Sequence, residues 1–170
     1  MARWFALALA AAALLASCSD APQTTLGTRD SGPAGTPQCP AYKVSSKTSL
    51  TDPVVSMKSG VLPIIAQNCA QIKACHGAGT LHVPLSGDSS AVRTALVGVP
   101  SGELPRMPFV TASDPSQSYL LHKMDGDQCL FDKECGNGYC QDTMPSSAPL
   151  LPAEQRLVIR RWIAQGAKDN

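Results

Sequence analysis

The stretch Val61 to Gly77, V-L-P-I-I-A-Q-N-C-A-Q-I-K-A-C-H-G, limits what this 170-residue chain can fold into. Leu62, Ile65 and Cys69 recur at spacings of three and four, so on a helix they share one face, and that face aims Cys69 at whatever the helix packs against. Pro63 is tolerable only in a first helical turn, which puts the start near Ser59, a residue able to cap it. Cys75 stands six positions beyond Cys69. That is about 240° round an α-helix, so the two sulfurs cannot face one partner from an unbroken helix. If both serve one site, the helix must end at about Cys69, with the insert Ala70 to Ala74 looped out.

The compartment decides what seven cysteines mean. Arg3, an apolar run from Trp4 to Leu14 and then small residues read as an export signal over residues 1–17, too short to span a bilayer as a permanent helix. The signal closes Leu15-Ala16-Ser17-Cys18, which resembles the lipobox of bacterial lipoproteins. That resemblance implies cleavage before Cys18 and lipidation of its sulfur and amine. It also implies an exported chain held on a membrane, with Ser19 favouring the outer membrane, facing the periplasm or the cell surface.

Residues 18–52 are rich in Pro, Thr, Ser and Gly without an apolar period and are expected to form a flexible tether. Roughly 33 such residues span on the order of 30 Å. Cys39, near its end, is a residue that a plain tether does not need. The remaining chain, 53–170, has room for one modest core with long connections, because Gly and Pro number 13 and 14 and aromatics only 5%. The expected fold class is all-α. A short helix is expected over Ser90 to Val97 (Val92, Ala95, Leu96 and Val99 in its stripe). A second begins at Asp114-Pro115 and buries Tyr119, Leu120 and Met124. A last one runs from Pro152 to about Ala167 with Val158, Ile159, Trp162 and Ile163 inward. Between the last two, residues 125–142 carry Cys129, Cys135 and Cys140 among glycines, a small knuckle stapled by disulfides rather than by a core.

A cysteine followed directly by histidine and glycine in an exported chain is the ending of the haem c attachment signal, in which two residues separate the cysteines. Here the interval is five. In a haem site Cys69 and Cys75 would be the attachment thiols. His76 would be the axial ligand through a neutral imidazole whose other nitrogen donates to a backbone carbonyl. Met144, stiffened by Pro145, would be the sixth ligand, its thioether favouring reduced iron. His82 and His122 read as ordinary polar residues, with His122 in reserve as a ligand, and Met57, Met107 and Met124 as packing residues.

The order C…C-H-G, a loop region, D-P-S-Q-S-Y-L-L-H-K, Met144-Pro145 and a final R-R-W-I-A-Q-G-A resembles cytochrome-c-like domains, particularly their lipoprotein-borne versions, over about Pro53 to Lys168. The resemblance implies a small all-α domain with haem c between the first and last helices, His76 and Met144 as axial ligands, and Trp162 near the porphyrin edge. It implies an electron carrier that passes single electrons to redox partner proteins. The widened interval departs from the family, leaving three outcomes: two thioethers, one from Cys75 alone, or no haem. In the last, the chain is a disulfide-stapled lipoprotein serving as a binding or structural module. Both cysteine counts are even: Cys39, Cys129, Cys135 and Cys140 form two disulfides beside a haem, or three disulfides form without one, Cys69 with Cys75 among them.

Other classes find little footing. The 14 basic residues include Arg3 of the signal, leaving 13 against 13 acidic, and no basic patch stands out for nucleic acid. No serine lies in G-x-S-x-G, and no acid/base constellation appears, so an enzyme is not expected. Thiolates of an exported knuckle would pair rather than hold zinc. Asp125, Asp127 and Asp132 lack the ligand order of a calcium loop.

Overall fold

A computed structural model of the chain describes residue 39, residues 41–71 and residues 73–170; the export signal, Cys18 and the first part of the tether lie outside them. The described residues are helical, with no strand among them. Two isolated bridges, Val97 with Val110 and Pro100 with Pro108, pin the loop between. No helix among the described residues is long and apolar enough to cross a membrane.

The first helix begins earlier than Ser59. The Ser56 hydroxyl accepts the Ser59 amide and caps a wide π-helical turn, Met57–Val61, which runs into α1, Leu62–Asn68. Met57, Val61 and Ile65 are buried together. Fully burying such a side chain contributes about 1.5–3 kcal/mol. At Cys69, whose amide bonds the Ile65 carbonyl at 2.8 Å, the helix ends, and α2 follows over Lys73–His76. The break therefore falls where the 240° argument requires it, but it is shorter than the insert foreseen, because the chain is helical again from Lys73.

The next helices follow their caps. Asp88 accepts the Ala91 amide at 2.8 Å and starts α3, Ser89–Leu96; a cap of this kind is worth about 1 kcal/mol. Asp114 accepts the amides of Ser116 and Gln117 over a 3-10 turn, Pro115–Gln117, that leads into α4, Tyr119–Asp125. Gly126 ends α4 at φ +77°, a left-handed conformation in which a side chain is strained, and turns the chain into the knuckle. Last, α5, Ala153–Ala164, lays Ile159, Trp162 and Ile163 into the core against the first turn and α4.

The knuckle is a 3-10 helix, Gln128–Glu134, and a loop closed by the Cys135–Cys140 disulfide. It has a small core of its own, in which both sulfurs pack with Leu104, Met107 and Tyr119. Cys39 is joined to Cys129, which fastens the N-terminal arm to the knuckle. The arm residues described, 41–52, are bound to the domain. The Tyr42 amide donates to Asp127 at 2.9 Å, and the Tyr42 ring lies 4.8 Å from the guanidinium carbons of both Arg156 and Arg160. Arg161 and Gln165 of the last helix take the carbonyls of Ser49 and Leu50.

Candidate functional site

The end of α1, α2, the loop 81–85, α3, the loop 99–109, α4 and the segment 144–147 enclose a cavity of about 910 Å³. That volume is at the upper end of the range, about 300–1,000 Å³, usual for small-molecule and cofactor sites. Its wall is largely apolar, with Leu85, Leu96, Val99, Phe109, Leu120 and Met124 prominent. Cys69, Cys75, His76 and Met144 all line it, although 69 positions separate Cys75 from Met144. Four residues singled out by chemistry thus meet at one hollow.

His76 is held in one tautomer. Its Nδ1 lies 2.9 Å from the Val83 carbonyl oxygen, which can only accept, so Nδ1 carries the proton and Nε2 keeps the lone pair. The Leu85 amide returns a bond to the His76 carbonyl at 2.9 Å, so the loop 81–85 grips the end of α2. Burial pushes the His76 pKa below its ordinary value; the Val83 hydrogen bond opposes this, while the charges of His82 and Lys123 add to it. The result is a neutral imidazole with a free lone pair, which is the form that binds metals.

The two cysteines differ. Cys69 is a free thiol, and burial pushes its pKa up to about 11, so it is protonated. Cys75 is disulfide-bonded. Because Cys69 is free, the Cys69–Cys75 disulfide foreseen for a haem-free chain is not formed. The four remaining candidates are paired as Cys39–Cys129 and Cys135–Cys140.

The Met144 amide donates to the Lys123 carbonyl at 2.8 Å, which ties the Met144 loop to α4. Trp162 is not in the cavity wall. It is buried in the core with its indole N–H on the Lys168 carbonyl at 2.8 Å, and α5 supports the site from outside. His122 is not in the wall either: its Nδ1 is 2.7 Å from Asp127 and its Nε2 3.1 Å from the Ser116 carbonyl.

Sequence reasoning passed over His82, Glu103, Tyr119 and Lys123 as site residues, yet all four line the cavity. His82 stands with its ring centroid 5.8 Å from that of His76. The Lys123 ammonium donates to both oxygens of Glu103, at 3.1 and 2.8 Å, and the Tyr119 hydroxyl donates to Glu103 at 2.5 Å. The one available signal was a lysine within the apolar face of α4. Among the described residues no group of three or more His, Cys, Asp and Glu is placed to hold a metal ion. The chain matches no protein-family model, no curated protein and no solved structure.

Proposed function

We propose that the cavity is a haem c site and that the chain is a small cytochrome-c-like electron carrier. The observation that carries this reading is the meeting of Cys69, Cys75, His76 and Met144 in one apolar cavity with His76 Nδ1 engaged by Val83. The donor set suits the group: one imidazole and one thioether are too few for a bare ion, but they complete a metal already held in a macrocycle by four nitrogens. When bound, haem would supply a one-electron couple.

The work of the chain itself is to hold His76 Nε2 unprotonated, offer the Met144 sulfur, and surround the ring with apolar side chains that exclude water. Attachment at Cys75 needs a free thiol, so the disulfide at this residue must be open when haem is joined to it. Lipidation at Cys18 would hold the carrier on the outer membrane, with redox partner proteins on the exported side. The test is the visible spectrum of the protein matured in a cell competent for haem attachment. Dithionite should sharpen its bands, whereas a colourless protein contradicts the reading.

One observation favours a second reading. With Cys75 disulfide-bonded, the chain is a closed, haem-free module whose cavity would accept an apolar small molecule. The same spectrum separates the two.

A further inference from the structure

The mostly apolar wall of the cavity carries a charged group formed by Lys123 and Glu103 with Tyr119, and the knuckle that follows α4 holds it in place. The Lys123 ammonium, besides its two bonds to Glu103, donates to the Cys140 carbonyl at 3.2 Å. The Gly136 amide donates to the Glu103 carbonyl at 3.1 Å, and Cys135 Sγ lies 3.8 Å from the Tyr119 hydroxyl. Both ends of the short disulfide loop therefore touch this group.

The pair is unequal. The Lys123 side chain is 7% exposed, that of Glu103 26%. Withdrawing an ammonium from water costs several kcal/mol unless an anion stays beside it. The lysine is thus committed to the cavity, whereas the glutamate can turn to solvent once another anion takes its place. From this geometry we infer that Lys123 is the binding residue for a carboxylate of the cavity's ligand, with Glu103 as the stand-in that keeps the ammonium paired until the ligand arrives. The inference rests on the haem reading above, because a porphyrin joins a broad apolar ring to carboxylates. It assigns to the knuckle the task of fixing Lys123 and its partners.

The test uses the full chain produced without haem attachment, titrated at pH 7 with haem and separately with its dimethyl ester, following the Soret band. The wild type should bind the free acid about tenfold or more tightly than the ester, a charged hydrogen-bonded contact being worth roughly that factor. The double variant Lys123→Met/Glu103→Gln leaves no buried charge unpaired and keeps an acceptor for Tyr119, and it should lose the preference. Glu103→Gln alone removes the competing anion and should enlarge it. Circular dichroism and a thermal melt check that each variant folds. Equal affinity of the wild type for acid and ester overturns the inference and leaves the haem reading standing, as does an undiminished preference in the double variant. A wild type that binds neither compound overturns both.

Discussion

The carbonyl oxygen of Val83 lies 2.9 Å from Nδ1 of His76, and this contact decides which nitrogen of the imidazole is available to a metal. A backbone oxygen makes this contact, so the loop must keep its path, while the Val83 side chain packs against the core and lines the cavity. The arrangement fits an axial ligand with a fixed tautomer, and four predictions test it and its surroundings.

Met144 shares the cavity with His76, so Met144→Ala should remove the sulfur-to-iron charge-transfer band from the oxidised, haem-loaded protein and lower the reduction potential. An unchanged band would mean that another side chain occupies the sixth position.

Cys69 and Cys75 differ in state, and a variant of each counts the thioethers of the proposed haem. Cys75→Ser should abolish covalent haem. Cys69→Ser should leave a single thioether if both cysteines normally react, seen as a red shift of the reduced α band from the unsaturated vinyl group. An α band in Cys69→Ser identical to that of the wild type would show attachment through Cys75 alone.

His122 supports the fold rather than the site. Burial works against its charge, but the Asp127 carboxylate, the Ser116 carbonyl and the charge of Asp125 together hold its pKa above the ordinary value. A folded pKa above the unfolded one gives stability that is complete below the unfolded value, about 6.5, and is lost as pH rises through the folded value. His122 therefore contributes a fall in stability between pH 6 and pH 8.5, against which His76, with its folded pKa lowered, contributes a rise. His122→Gln should cost about 1.5–3 kcal/mol at pH 6 and remove that fall. A wild-type advantage over His122→Gln that does not shrink between pH 6 and pH 8.5 would show that His122 is not charged in the fold.

The Cys39–Cys129 and Cys135–Cys140 disulfides close loops of very different length, with sequence separations of 90 and 5. Chain entropy assigns about 4–5 kcal/mol to the first and about 2 kcal/mol to the second. Chemical denaturation of Cys39→Ser/Cys129→Ser and of Cys135→Ser/Cys140→Ser should show the first pair to be the more costly. The reverse order would mean that the knuckle's packing, not loop closure, dominates.

Much of this was legible in local chemistry. The end of α1 at Cys69 follows from helical geometry, and Asp114-Pro115 and Gly166 announce their elements through capping and turn preferences. The disulfide partners were not legible, since six cysteines allow 15 connectivities. The binding of 41–52 to the domain was hidden for another reason: Ser49 and Leu50 are held through their carbonyls, which leave no side-chain pattern. Val83 escaped notice in the same way. Lys123 did so because its burial depends on Glu103, 20 positions away. The placement of Trp162 in the core, outside the cavity wall, differs from what family resemblance implied, and the reason is that α5 packs against the first turn and α4.

The central claim is that the cavity behind His76 holds covalent haem. The protein should be exported alongside a working haem-attachment system, extracted with acid–acetone, and its spectrum recorded. The account predicts a Soret band that stays with the polypeptide and is lost in Cys75→Ser. A polypeptide left colourless, with Cys75 found in a disulfide by peptide mapping, would contradict it.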